Sequence, residues 1–437
     1  MSRAAAPFRI HTIHFAYPGN PEAIPLRDDQ TLRFLGTEPE WDANGRDDPS
    51  AFVRGRRATM RVVFACRPRG RRAASGAWRI GAAGTGGPGV AEHRITLSFD
   101  RKGLSAPHEF RLDSRLPDAL GRVTPVWHWM ARRGATARPF GTTSHQFYLA
   151  WRRPIAVRNW AARTEPRDGP PGDPGRAWTY RRLMQWTTVL AAGKDDPKSI
   201  CDALLSQLPG LGLRYALPAY TVLGMLYAGG GYCAGWYRMF QAMAGAHGVR
   251  LERRTFAVEW RVGRRDESRW CAIVVEAPGL GRRIPEESPS RFHDVDARPI
   301  PAARVESRTV SRYRFWGCPG LMADGHCINL LRHRGTWYLY DACFRTTAVE
   351  LSRFRLPRSD PRRPIPLERL GNFKEAYLAV NVPFMLGSLF HKGKFYDTRH
   401  PDPDDHRFPA RETRNGLTVK TSLIPNRNAG ITLYWTT

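Results

Sequence analysis

Three consecutive glycines, Gly229-Gly230-Gly231, run into Tyr232-Cys233 and then into a helical pattern. No other stretch constrains the chain as much. Glycine lets the backbone turn sharply or approach another group closely. Trp236, Phe240, Met243 and His247 follow at spacings of three and four, so they share one helix face. Gly248 is placed as a helix stop. Cys233 therefore stands at a helix N-terminus. There the unpaired N–H groups and the helix dipole favour an anion and lower a thiol pKa. A cysteine so placed is a candidate nucleophile. Its bland counterpart is a buried cysteine that packs as a small hydrophobe.

A thiolate nucleophile needs a base, and the base needs an orienting group. Residues 325–343, Gly-His-Cys-Ile-Asn-Leu-Leu-Arg-His-Arg-Gly-Thr-Trp-Tyr-Leu-Tyr-Asp-Ala-Cys, read as two β-strands around a turn containing Gly335. With His333 and Arg334 as the central turn residues, Arg332 faces Gly335 and His326 faces Asp341. Directly opposed side chains share a sheet face with Cβ atoms roughly 5 Å apart. Asp341 can then hold the His326 imidazole. A three-residue turn would instead slip the register by one and separate the two side chains.

Gly231-Tyr232-Cys233 with its helix, Gly325-His326, and Trp337-Tyr338-Leu339-Tyr340-Asp341 together resemble the transglutaminase-like superfamily. The resemblance covers roughly residues 177 to 347. It implies a papain-like fold in which Cys233 is the nucleophile, His326 the base and Asp341 the orienting carboxylate. Two features depart from the family pattern. The interval from Cys233 to His326 requires an insertion, and Asp341 is followed by Ala342-Cys343 rather than by a proline-containing turn.

At 437 residues the chain has room for two or three domains. No apolar run reaches transmembrane length, and the first residues hold no signal-peptide core. A cytoplasmic protein is therefore expected. The net charge of +28 invites an anionic partner, but only seven of the 68 basic residues are lysine and the arginines are spread along the chain. This reads as arginine-biased composition, so nucleic acid is not expected as a partner. Seven cysteines without a CxxC pair imply neither a disulfide scaffold nor a metal site. Neighbouring strand residues alternate faces, which turns Cys327 away from His326. No EF-hand-like run and no cofactor motif occur.

The fold expected is α+β. Residues 1–50 form an N-terminal arm of loops, with a possible edge strand from Ile10 to Tyr17. Residues 51–160 form an antiparallel β-sandwich of immunoglobulin-like type. Its strands begin near Ala58, Glu92, Glu109, Val123 and Ser144, and Trp127 and Trp129 alternate into one core. Ala73 to Gly89, rich in Gly and Ala, reads as a mobile loop, and His128 and His145 as surface or strand-edge histidines. Residues 161–175 are a proline- and glycine-rich linker. The transglutaminase-like domain spans 176–350. Its opening helices include one with Asp196 as N-cap and Pro197 in first position. Residues 278–316 are its insertion, a surface excursion or a lid. A C-terminal extension covers 351–437, where Asn415 to Thr437 pairs as a strand or drapes over the catalytic domain.

The function expected is cysteine-dependent acyl transfer on peptide or carboxamide bonds, with a protein or peptide as substrate. Water as acceptor makes a peptidase or amidase; an amine makes a transglutaminase. The backbone N–H of Cys233 is one oxyanion donor, and Tyr215, Tyr220 and Trp236 are candidates for the second. The rival expectation is a transglutaminase-like binding or scaffold protein without turnover.

Overall fold

The computed structural model describes residues 6–67, 71–215, 219–231, 233–261, 268–269, 273–276, 313–316, 326–342 and 348–351, with short strands at 365–366, 384–385, 388–391, 394–397, 424–425 and 431–436. The architecture is α+β: mostly antiparallel sheets with few helices. The chain divides into two compact units, Met1–Leu204 with Gln241–Arg250, and Leu205–Phe240 with Leu251–Thr437. The division falls inside the helix Pro197–Gln207. The stretch 161–175, read as a linker, belongs to the first unit. It is tied to the N-terminal segment: Asp168 pairs with Arg27 at 3.2 Å, and Glu165 is buried. Arg176 just beyond it donates to the carbonyls of Asn20 and Ala23.

Two four-stranded antiparallel sheets dominate the first unit. One runs Trp41–Asp42, Phe8–His14, Thr59–Cys66, His108–Arg111; the other runs Thr136–Ser144, Val126–Arg133, Gly76–Thr85, Val90–Leu97. Their apolar faces share one buried cluster. Phe8 of the first sheet meets Trp78 and Phe140 of the second edge-on, with ring centroids 5.1 Å apart in each pair. Trp127 and Trp129 both enter this core and are fully buried.

Three expectations are corrected here. The strand Phe8–His14 lies inside its sheet, not at the edge. Its buried residues, Phe8, Ile10 and Ile13, break strict alternation because a bulge shifts the register between Ile10 and Thr12. The Gly- and Ala-rich stretch from Ala73 to Gly89 holds the strand Gly76–Thr85, an interior strand of the second sheet. Its glycines mark close backbone approach: a Cβ on Gly81 would stand 2.9 Å from Glu92 Cα. His145 is buried, not at the surface. Its Nε2 lies 2.9 Å from the Thr143 hydroxyl, which also accepts a bond from Trp129 Nε1 at 3.0 Å. Burial disfavours the imidazolium and lowers the His145 pKa to about 3.

The second unit is built on a seven-stranded sheet. Its order is Val349–Leu351, Thr336–Tyr340, His326–His333, Glu252–Arg261, Ile431–Thr436, Ile365–Pro366, with Ser268–Arg269 also paired to Glu252–Arg261. The C-terminal extension thus supplies two strands of this sheet. Most of the insertion 278–316 lies outside the described residues. Its last strand, Tyr313–Trp316, pairs antiparallel with Ile273–Glu276. No helix among the described residues is long and apolar enough to cross a membrane.

Candidate active site

Each of the three glycines before Cys233 does a different job. Gly229 is the left-handed cap (φ 72°) of the helix Val222–Ala228, its N–H bonded to Met225 O. Thr221 caps the other end, its hydroxyl accepting from Gly224 N at 2.8 Å. Gly230, at φ 154°, holds a backbone angle that side-chain-bearing residues rarely adopt. Gly231 has no room for a Cβ, which would stand 2.4 Å from the Ala219 carbonyl oxygen. That carbonyl also crowds Gly235 in the first helical turn, at 2.5 Å from its would-be Cβ. The segment around Ala219 therefore lies flat against the start of the next helix.

That helix is Cys233–Ala246, so Cys233 opens it as expected. Trp236, Phe240, Met243 and His247 are all fully buried. Gly248, at φ 75°, ends the run, and Val249 N bonds back to Ala244 O.

The hairpin that follows differs from the expected one in a specific way. Its ladder pairs His333 with Thr336, Arg332 with Trp337, and so on to Asn329 with Tyr340. The central turn residues are Arg334 and Gly335, not His333 and Arg334. Both have positive φ, 49° and 88°. This is the two-residue turn whose twist matches paired strands, and it takes glycine readily at its second position. The register consequently moves by two, not one. Continued one step, the ladder sets Ile328 opposite Asp341, with His326 two residues along on the same strand. Positions 326 and 341 keep a common face but stand diagonally, about 7–8 Å apart in such ladders, rather than directly opposed.

The Cys233 helix packs on these two strands. Asn329 Nδ2 donates to Tyr237 O at 3.3 Å, and the Tyr340 ring stacks on Phe240 with centroids 5.5 Å apart. Asn329 and Tyr340 are the last ladder pair, and both are fully buried. Pleat alternation assigns positions 326, 328 and 341 to the other face. Past that pair, position 326 still lies within the sheet, opposite Phe256 of the strand Glu252–Arg261. Asp341 follows Tyr340 directly and is fully buried.

The oxyanion candidates separate in part. Tyr215 pairs in parallel with Gly231, two residues before Cys233. Tyr220 is about half exposed at 48%, its carbonyl held by Arg238 Nη1 at 2.5 Å; Trp236 is fully buried. Sequence reasoning passed over Asn329 and Tyr340, which join the hairpin to the helix. The available signal was an asparagine inside the apolar run Ile328-Asn329-Leu330-Leu331. Among the described residues no three His, Cys, Asp or Glu side chains gather as a metal site. Cys318 and Cys343, close to His326 in sequence, lie outside the described residues. Cys201 is buried, and burial pushes its thiol pKa well up.

No family model and no curated protein matches this chain.

Proposed function

We propose that the chain is a cysteine-dependent acyl-transfer enzyme with a papain-like, transglutaminase-like domain. In this reading the facing sheets of the first unit are an immunoglobulin-like β-sandwich. One observation carries the catalytic reading. The helix opened by Cys233 is bonded through Tyr237 and stacked through Phe240 onto the strand that begins at His326 and the strand that runs into Asp341. In this reading the nucleophile comes from the start of that helix, and the base and orienting carboxylate come from the two strands it packs on.

The chemistry follows from those positions. The Cys233 thiolate, favoured at the helix start, attacks the carbonyl carbon of a peptide or carboxamide. The new oxyanion takes a bond from the Cys233 N–H. His326, as imidazolium, gives its proton to the departing amine while Asp341 holds the ring. A thioester remains on Cys233. Water or an amine then attacks it, with neutral His326 accepting the proton, and the thiolate returns.

The test is a timed iodoacetamide pulse at pH 6.5 with peptide mapping. Cys233 should label well before Cys66, Cys201 and Cys271, because an ordinary thiol of pKa about 8.5 is only about 1% ionised there. His326→Ala should slow Cys233 labelling about tenfold or more, and Asp341→Asn should slow it less. If Cys233 labels no faster than the other cysteines and His326→Ala changes nothing, the non-catalytic scaffold becomes the better reading.

A further inference from the structure

Although the arginines are spread along the chain, its net charge is not evenly placed. Residues 51–160 carry 21 Lys and Arg against five Asp and Glu, a net +16, whereas residues 1–50 carry five against eight. Several arginines of the first unit are spent on structure. Arg27 lies over the rings of both Phe34 and Trp178 and donates to Leu32 O at 2.8 Å. Arg71 bonds Phe99 O, and Arg133 bonds Ala73 O and covers Trp78.

Three others are placed differently. On the outer face of the second sheet Arg94 stands directly opposite Arg79, and Arg79 directly opposite Arg132. Two strand spacings of roughly 4.8 Å make this a row about 10 Å long. The side chains of Arg79 and Arg132 are 67% and 57% exposed. Their shared counter-charge is Glu92, 3.9 Å from Arg79 and 3.4 Å from Arg132. The Arg94 side chain has neither an ion pair nor a hydrogen bond among the described residues. Like charges directly opposed across strands destabilise a sheet, so the row works against the stability of the bare fold. Beside Arg79 the same strand presents the small residues Ala77 and Ala83.

We infer that this arginine row is a binding site for the phosphate backbone of a duplex nucleic acid, read without regard to sequence. The guanidinium fork matches phosphate geometry. A duplex carries one charge per roughly 1.7 Å of axis, so a 10 Å row meets several phosphates. Single strands are usually held by stacking on aromatic side chains, and among the described residues the large exposed apolar side chains are Val189, Tyr220 and Tyr227, all outside this face. An acidic peptide would find charge here but little apolar surface beyond half-buried Met130. The row belongs to the first unit and is independent of the Cys233 chemistry.

The test is fluorescence anisotropy of the full chain with a labelled 20-base-pair duplex of random sequence, titrated at several salt concentrations. Replacing Arg79, Arg94 and Arg132 together with Gln should weaken binding at least tenfold at low salt. It should flatten the slope of log K against log salt by about 2.7, three phosphate contacts at roughly 0.9 each. A control triple at exposed Arg57, Arg101 and Arg115 loses the same charge and should flatten it by less than one. Glu92→Gln, which releases Arg79 and Arg132, should tighten binding. Equal losses in the two triples, weaker binding by Glu92→Gln, or displacement of the duplex by poly-glutamate at equal charge would each overturn the site. All the substituted side chains are exposed, and circular dichroism of each variant verifies folding.

Discussion

Two glycine-rich stretches of similar look lead to opposite structures. In the first unit Gly81, Gly84 and Gly89 stand in and beside a β-hairpin, where added Cβ atoms would meet the hairpin's own backbone at 2.4 to 2.9 Å. In the second unit Gly229, Gly230 and Gly231 end one helix and launch another. Glycine has the same use in both, room for close backbone approach, but the partner differs. In the hairpin it is the next strand; before Cys233 it is the Ala219 carbonyl. Composition alone therefore says that two backbones come close, not what they build. The flanking periodicity decides, and around Gly76–Thr85 a bulge between Ile80 and Ala82 interrupts it.

This contrast can be broken by substitution. The largest effect is expected at Gly231→Ala. The new methyl must displace backbone at 2.4 Å, so the start of the Cys233 helix shifts. Rapid labelling of Cys233 should fall at least tenfold, while the tryptophan fluorescence of the first unit stays unchanged. Gly89→Ala should do the reverse. Its Cβ meets Ala82 O at 2.4 Å, and about 2–3 kcal/mol of first-unit stability should go in urea unfolding, with Cys233 labelling intact.

Acid sharpens the comparison next. His145 stays neutral in the fold to about pH 3 but ionises near 6.5 when unfolded. Between those values the unfolded chain binds the extra proton. First-unit stability is therefore full above pH 6.5 and falls as the pH drops through it, by about 2 kcal/mol at pH 5. Replacing His145 with Gln should flatten that slope in unfolding curves taken at pH 7 and pH 5. His247, its pKa lowered by burial to about 4, adds a second contribution of the same sign. The smallest effect is expected at Gly229→Ala, where a Cβ meets open space and only the left-handed φ is strained. About 1–2 kcal/mol should be lost, and Gly229→Asn should lose less.

The legible parts of the sequence were those where one physical rule acts alone. Asp196 as a cap is such a case: its carboxylate accepts from Lys198 N and Ser199 N at 2.9 and 3.1 Å. The Cys233 helix, with its buried face and its Gly248 stop, is another. Misreadings came where two rules competed. The bulge at His11 breaks the alternation that would have marked Phe8–His14 as an interior strand. Setting Gly335 just after the two central residues neglects that a turn needing positive φ at both centres draws glycine inside it. That one-residue choice moved Asp341 from directly opposite His326 to a diagonal position. His145 was read from type alone; nothing local announces that the Thr143 hydroxyl waits beside it in the core.

The strand Ile431–Thr436 completes the sheet by pairing with Glu252–Arg261, Thr436 standing opposite Thr255, about 180 positions earlier. At a ribosomal pace of about 5–20 residues per second, roughly 10 to 35 seconds separate the synthesis of the two partners. Throughout that interval one edge of Glu252–Arg261 is open, and from the synthesis of His326–His333 onward its other edge can hold that strand. An open edge is where strands of other chains add. The nascent protein thus passes through a window in which its candidate catalytic hairpin is complete but its sheet is adhesive. In a cell, shielding of that edge until the distant strand arrives would govern how much of the chain reaches its finished form.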